Sequence, residues 1–247
     1  MRVSLGIFWA WYRRDIRARY SQTVLGWVWA LAQPMAYTLA LGFLVSRVGS
    51  KSAGIPLASF IYPAMLVWFL FTNATLGAVN GLANSMQIVS KVRFPRVIAA
   101  ISGACVPLID FVIGCALLPV VLLVQGTGRY PSPVFLLAAA GSLVAAVSAG
   151  LLIGAAAVFI RDLRTAVPFV MQVGLLATPV SYSLDRLPSW LTWNPLATFV
   201  SAGRAAVVDV PAPDLRHWVI SVAVVLGILV ASVAYFRRVE DRFADVA

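Results

Sequence analysis

Trp29, Gln33 and Tyr37 recur at intervals of four residues near the N-terminal end of the chain. On an α-helix this spacing places an indole, an amide and a phenol in one row on one face. All three groups form hydrogen bonds, so the row either joins this helix to its neighbours or lines a polar path. Pro34 lies within the row and removes a backbone hydrogen bond, which predicts a kink in the helix.

Asp110 is the one carboxylate well inside a long apolar run, in the sequence CVPLIDFVIG. If that run crosses a membrane, the charge is costly unless it faces protein or water. A proton relay needs a second titratable group at a similar depth, and the sequence offers none. Two interpretations stay open: a hydrogen-bonded Asp110 that fixes its helix to a neighbour, and a role in transport.

Catalytic and nucleotide-binding motifs are missing from the sequence, which has no GxxxxGK[ST], no HExxH and no GxSxG at a plausible elbow. Cys105 and Cys115 fall on one helix about 15 Å apart, too far for a disulfide. His217, beside Trp218, is more typical of an interfacial anchor than of a metal ligand. The sequence therefore predicts neither an enzyme nor a metal site.

Composition indicates a membrane protein, because 61% of the residues are hydrophobic, only 11% are charged and the mean hydropathy is +0.91. The apolar runs are continuous and long enough to cross a bilayer as helices, and they lack the alternation of a barrel strand. We expect an all-α protein with six transmembrane helices, the fifth being marginal. These helices are predicted at residues 24–45, 57–82, 97–124, 133–160, 166–183 and 218–236.

Positive charge alternates between the two sides of these predicted helices. Thirteen of the 19 Lys and Arg residues fall in the N-terminal segment, the second and fourth loops, and the C-terminal segment. Because basic loops stay inside, both termini are predicted to be cytoplasmic. This distribution accounts for the net charge of +10, so nucleic acid is not an expected partner.

Residues 1–23 are predicted to form an amphipathic interface helix, separate from a single six-span domain at 24–247. At helical spacing its aromatic residues form one stripe that suits the headgroups of the cytoplasmic leaflet. Asp15 and Arg19 have the spacing of a pair along this helix. The polar and charged residues assigned to the interface helix are Arg13, Arg14, Asp15, Arg17, Arg19 and Tyr20.

Residues 184–216 form a long loop whose aromatic and apolar side chains favour burial. Two short helices that dip into the outer leaflet, broken at Pro195, fit its length and pattern. Such a segment is either an outer gate or a lid packed on the helices. The gate candidates are Trp190, Trp193, Asn194 and Pro195.

Small residues recur in the fourth predicted span, where Gly150 and Gly154 lie in the sequence GLLIG. This spacing lets two helix backbones approach closely. We expect this face to pack against another helix.

Several motifs taken together resemble one known family. They are RDIRARYSQTVLGWVWALAQP near the N-terminus, KVRFPR before the span that contains Asp110, RDLR before PFVMQ, and ATPVSY followed by WNPLATF and Arg204. In this order and spacing they resemble the permease subunit of type-2 ABC exporters. The most similar branch exports polysaccharides such as O-antigen, capsule or teichoic acid.

That resemblance implies a homodimer in the inner membrane of a bacterium, paired with a separate ATPase subunit that binds ATP and Mg. The cargo would be a lipid-linked polysaccharide, and Trp29, Gln33 and Tyr37 would line its channel. A re-entrant helix pair is implied at about 183–208. Coupling to the ATPase is implied for Lys91, Arg93, Phe94, Pro95, Arg96, Arg161, Asp162 and Arg164.

Two alternatives to polysaccharide export remain. Drug and lipid exporters of the same superfamily share the six-span plan, although they more often carry a large outer domain or a fused ATPase. An ATP-independent channel or proton-coupled carrier would require Asp110 to titrate during transport. As a separate point, the two short basic loops on the inner side would serve either as docking segments for a soluble partner or only as determinants of topology.

Overall fold

The computed structural model describes residues 2–20, 26–47, 55–89, 96–127, 132–184, 188 and 190–240. These residues form α-helices joined by turns, with no strand among them. In chain order the helices are α1 (Arg2–Tyr20), α2 (Val28–Arg47), α3 (Leu57–Val89), α4 (Val97–Cys105), α5 (Pro107–Val124), α6 (Pro133–Phe159), α7 (Asp162–Ala177), α8 (Pro195–Ala205) and α9 (Leu215–Val239).

Helix α3 is the centre of the fold and contacts α2, α4, α5, α6, α7 and α8. Its first half is buried almost without interruption, and Ile61, Met65 and Val67 have no exposed surface. The buried Tyr62 hydroxyl donates a hydrogen bond of 2.9 Å to the Gly114 carbonyl of α5. The central position also keeps polar side chains of α3 away from lipid, since Ser59 and Thr75 are fully buried.

Small residues bring the backbones of α3, α4 and α6 close together. A Cβ atom built at Gly77 of α3 would lie 2.2 Å from the carbonyl oxygen of Gly103 in α4. A Cβ atom at Gly150 of α6 would lie 2.4 Å from Cβ of Ala78 in α3, and Gly154 meets Leu82 one turn further on. The close helix contact expected from Gly150 and Gly154 is therefore confirmed.

Prolines mark the beginnings of three helices, where their missing N–H group has no intrahelical partner to lose. Pro107, Pro133 and Pro195 occupy the first helical position of α5, α6 and α8. Val106, between α4 and α5, keeps helical dihedral angles of −57° and −44°. Helices α4 and α5 therefore follow each other as one apolar stretch, Val97–Val124.

Five helical stretches among the described residues are long and apolar enough to cross a membrane: Val28–Arg47, Leu57–Ser85, Val97–Val124, Pro133–Phe159 and Leu215–Val239. They correspond to five of the six predicted spans. The fifth predicted span, 166–183, overlaps α7, which has only 16 residues and ends at Ala177. At 1.5 Å per residue this helix is about 24 Å long, less than the hydrocarbon thickness of a bilayer.

Candidate functional site

The row predicted on α2 is present. Trp29 and Gln33 are exposed, whereas Tyr37 is half-buried. The Tyr37 ring lies edge-to-face on Phe69 of α3, with ring centroids 5.3 Å apart. Pro34 lies inside α2 and is buried. The row therefore lies at the boundary between α2 and α3.

A cavity of about 110 Å³ lies where α1, α2, α3 and α5 meet. Trp29 and Gln33 form its wall on α2, and Phe69 and Asn73 form its wall on α3. The remaining charged and hydroxyl groups of the lining are those of Arg19, Tyr20 and Asp110. Residues predicted separately for the interface helix, the channel and the intramembrane carboxylate thus share one cavity.

A second cavity, of about 120 Å³, lies further along α2, between α2, α3 and α7. Gln33, Phe69 and Asn73 line both cavities, so the two form one continuous surface. We call this surface the α2–α3 groove. Its polar and aromatic residues on α2, α3 and α7 are Trp29, Gln33, Tyr37, Trp68, Phe69, Thr72, Asn73 and Gln172.

The α3 side of the groove was missed by sequence reasoning. Its signal is the pair Thr72 and Asn73, which interrupts an otherwise apolar run. Thr72 Oγ1 is buried and has no hydrogen-bond partner within the described part of the chain. A buried hydroxyl in that state favours a bound polar group, because leaving it unpaired costs about 1–3 kcal/mol.

Asp110 is held by the C-terminal end of α1. Its Oδ2 atom lies 2.5 Å from Nη2 of Arg19, and the Tyr20 hydroxyl donates to Oδ1. Burial, together with this hydrogen bond, raises the pKa of Tyr20 above its ordinary value. Asp110 therefore fixes its helix to a neighbour, as one interpretation predicted, and that neighbour is α1.

The predicted pair between Asp15 and Arg19 is wrong. Asp15 instead accepts from its neighbour Arg14, with Nη2 at 2.7 Å, and from Ser102 Oγ of α4 at 3.1 Å. Arg19 is engaged with Asp110, as described above. Asp15 therefore keeps a cationic partner on its own helix, whereas Arg19 pairs with a carboxylate of another helix that is only 13% exposed.

Two links therefore join α1 to the continuous stretch α4–α5. Ser102 of α4 donates a hydrogen bond to Asp15 of α1, and Arg19 of α1 donates to Asp110 of α5. About one turn before Asp15, Trp11 is buried, and the Arg14 guanidinium lies 3.6 Å from the centroid of its ring. Arg13 and Arg17 remain exposed. The second half of α1 is thus packed against α4 and bonded to Asp110 at the start of α5.

The residues expected to couple to an ATPase form two sets in the sequence, 91–96 and 161–164. Lys91, Arg93, Phe94 and Pro95 lie outside the described residues. Arg96 donates from Nη1 to the Glu240 carbonyl at 2.6 Å, which joins the start of α4 to the end of α9. The second set, Arg161, Asp162 and Arg164, is exposed at the turn between α6 and α7.

Among the predicted gate residues, Asn194 and Pro195 begin α8. The Asn194 side chain accepts from the Leu196 amide at 3.1 Å and so caps this helix. Trp190 is 73% exposed, while Trp193 stacks on His217 with ring centroids 5.5 Å apart. Of the re-entrant pair expected at 183–208, the described residues contain one helix, α8.

Arg204 of α8 is a fully buried cation that sequence reasoning left without a role. Its guanidinium donates to the carbonyls of Phe60 at 2.9 Å, Tyr182 at 3.0 Å, Val180 at 2.6 Å and Pro179. These bonds tie α8 to the start of α3 and to the turn that follows α7. The signal was an arginine inside the apolar run FVSAGRAAVV.

The fold and the groove define a helical membrane protein with a polar surface between its helices. The chain belongs to the ABC-2 type transporter family, whose pattern it matches over residues 7–208. Together with the five long apolar helices, this membership indicates a multi-pass protein of the inner membrane. The resemblance noted in the sequence is thereby confirmed.

Individual relatives are similar over most of their length. The chain is 25% identical to an O-antigen export system permease protein RfbA of Klebsiella pneumoniae, over 94% of this chain and 92% of that protein. It is 24% identical to an RfbA protein of Myxococcus xanthus, over 97% and 95% respectively. It is 23% identical to the polysialic acid transport protein KpsM of Escherichia coli, over 80% of both chains. These relatives are transport proteins and not enzymes.

Proposed function

We propose that this chain is the channel-forming subunit of an ATP-driven exporter that moves a lipid-linked polysaccharide out of the cytoplasm. The observation that carries the proposal is the α2–α3 groove, in which amide, hydroxyl and aromatic side chains follow one another through both cavities. The names of the relatives, which specify O-antigen export and polysialic acid transport, support this class of cargo.

The chemistry of the groove suits a sugar polymer. A saccharide offers hydroxyl groups that exchange hydrogen bonds and apolar ring faces that lie on aromatic side chains. Gln33 and Asn73 supply amides, and Trp29 and Phe69 supply aromatic surface. Repeated weak contacts of this kind hold a chain at many positions without trapping it at one. ATP-driven cycles then move the polymer outward step by step.

The working unit is a homodimer in which the grooves of two protomers face each other. In each protomer α7 and the segment after it complete a sixth crossing, and both termini lie in the cytoplasm. Exposed groove residues such as Gln33 and Trp29 are consistent with a surface that a second protomer or cargo covers. Trp190 and Trp193 lie at the outer end, in the gate region formed with α8.

A separate ATPase subunit docks on the cytoplasmic turns. Arg161, Asp162 and Arg164 are exposed and accessible for such contacts. Residues 1–23 act as the interface helix beside this subunit, and 24–247 form the transmembrane domain. Since Arg19 and Tyr20 hold Asp110 at the edge of the groove, motion of α1 is transmitted directly to the lining.

Inverted membrane vesicles that contain the chain and its ATPase test the proposal. Gln33→Leu combined with Asn73→Leu removes two amides at nearly constant volume. We expect ATP-dependent polymer uptake to fall at least about tenfold while the ATPase stays bound, since two hydrogen-bonding positions are lost. Leu39→Ala, at an exposed position of α2 outside the groove lining, is the control and leaves uptake unchanged. Normal uptake by the double variant would contradict the proposed path.

A further inference from the structure

A cavity of about 580 Å³ lies between α8, the start of α9 and the segment that joins them. Within the described ranges it shares no lining residue with the two groove cavities. Its volume falls in the range of small-molecule binding sites, which is roughly 300–1,000 Å³. We call it the α8–α9 cavity.

Two buried polar atoms at this cavity lack partners. Ser201, which is 5% exposed, and His217 both line it. Neither Ser201 Oγ nor His217 Nδ1 has a hydrogen-bond partner in the part of the chain that the structure describes. Buried polar groups are almost always satisfied, so an unpaired hydroxyl and an unpaired ring nitrogen on one cavity wall indicate a polar ligand.

The packing of α8 on α9 places these two residues together. Ser221 of α9 donates to Thr198 of α8 at 2.9 Å, and the rings of Phe199 and Trp218 lie 5.8 Å apart. A higher residue number on α8 is therefore paired with a lower residue number on α9, which means that the two helices are antiparallel. Ser201 lies about one turn after Thr198 on α8, and His217 lies about one turn before Ser221 on α9. The two residues are therefore on the same side of the Thr198–Ser221 bond.

The residues that line the cavity disfavour anionic and purely apolar ligands. The Arg204 guanidinium reaches the wall, but its N–H groups donate to four backbone carbonyls. Asp214 lies exposed at the margin, where its carboxylate disfavours an anion. Phe60, whose ring has the Arg204 guanidinium 3.8 Å from its centroid, gives the lining an apolar part together with Leu184 and Val210. A ligand with many hydroxyls and an apolar ring face satisfies both the unpaired polar atoms and this apolar part.

We propose that the α8–α9 cavity is a binding site for a saccharide unit of a neutral polysaccharide, with Ser201 and His217 as its hydrogen-bonding residues. The inference rests on the proposed function for the class of cargo and adds a site outside the groove. A polysaccharide bound in this cavity contacts the protein at α8 and α9 in addition to its contacts in the α2–α3 groove.

His217 provides a direct readout because it is the only histidine in the chain. The full-length protein, prepared without a histidine tag and labelled with isotopic histidine, gives a single imidazole spin system by NMR in lipid nanodiscs. Mannotriose and lactose serve as neutral probes. N-acetylneuraminic acid and glycerol 3-phosphate represent acidic sugars and lipid headgroups. We expect a saturable shift of the imidazole signals with at least one neutral probe.

Variants assign that response to the cavity. Ser201→Ala is expected to weaken the apparent affinity about fivefold, the effect of one lost hydrogen bond. Ala212→Trp, at an exposed lining position, is expected to abolish the response by filling the cavity, and it keeps the test informative if Ser201→Ala is unstable. Ser85→Ala removes a buried hydroxyl from α3 and is the matched control, with no expected change.

Two results would overturn the inference. One is that the imidazole signals stay fixed with both neutral probes, whether or not an acidic probe shifts them. The other is that the Ser201→Ala and Ala212→Trp proteins both bind a neutral probe as tightly as the unaltered protein. The titration needs neither ATPase nor transport, so it fails or succeeds independently of export. If the His217 signals do not shift but export falls in the groove variants, only the saccharide site in the α8–α9 cavity is rejected. If the His217 signals shift but export is normal in the groove variants, only the proposed polymer path along the α2–α3 groove is rejected.

Discussion

Asp110 of α5 and Arg19 of α1, 91 residues apart in the sequence, form an ion pair with Oδ2 and Nη2 at 2.5 Å. The side chain of Asp110 is 13% exposed and that of Arg19 is 37% exposed, so the pair lies at the edge of the protein interior. The Tyr20 hydroxyl donates to the other oxygen of Asp110. This arrangement joins the N-terminal helix to the lining of the α2–α3 groove.

A double-mutant cycle measures this link. Asp110→Asn and Arg19→Gln are each expected to lower the free energy of unfolding by about 1–2 kcal/mol, because each removes the same charge-assisted hydrogen bond. The double variant is expected to lose about as much as either single variant, since the same interaction is removed. Thermal unfolding in detergent gives the values. Strictly additive losses would show that the two residues are not coupled.

Transport by the Asp110→Asn protein separates a structural carboxylate from a proton carrier. Because both oxygens of Asp110 accept from α1, we expect any loss of transport to be the same at all pH values near neutrality. A proton-coupled carrier requires this group to bind and release a proton in each cycle. A changed pH profile in Asp110→Asn would therefore favour the carrier over the ATP-driven exporter.

The crossing of α3 and α4 depends on Gly77. A methyl group there would lie 2.2 Å from the Gly103 carbonyl oxygen, and backbone must move to admit it. We expect Gly77→Ala to lower the free energy of unfolding by about 1–3 kcal/mol. Gly227→Ala in α9, where nothing lies within 4 Å of the added atom, is the matched control and is expected to be neutral or stabilising. Equal thermal stability of the two variants would contradict this packing.

The patterns that sequence could reveal are those confined to one helix. The four-residue spacing of Trp29, Gln33 and Tyr37 identified one wall of the groove, and Gly150 and Gly154 identified a packing face. The opposite wall at Asn73 and the partner of Asp110 depend on contacts between distant helices, which no local period encodes. Apolar length predicted six spans, of which five are long apolar helices among the described residues; the predicted span at 166–183 stops being helical at Thr178.

Docking of the ATPase is expected to depend on the exposed cations between α6 and α7. Arg161→Glu combined with Arg164→Glu reverses the local charge, and we expect co-purification of the ATPase to fall at least about tenfold. Arg237→Glu with Arg238→Glu, the same change at exposed positions near the end of α9, is the control. If the complex survived when Lys91, Arg93, Arg161 and Arg164 were all changed to Glu, the coupling assignment would be wrong.

The central claim, that polymer passes along the α2–α3 groove, is tested most directly by photo-crosslinking during transport. A photoreactive amino acid is placed at Gln33 or at Leu39, which lies six positions along and about 120° around the same helix. With the exporter stalled during ATP-driven transport, we expect polysaccharide to be attached at position 33, and position 39 to capture lipid alone. Polymer captured equally at both positions, or only at position 39, would contradict the account.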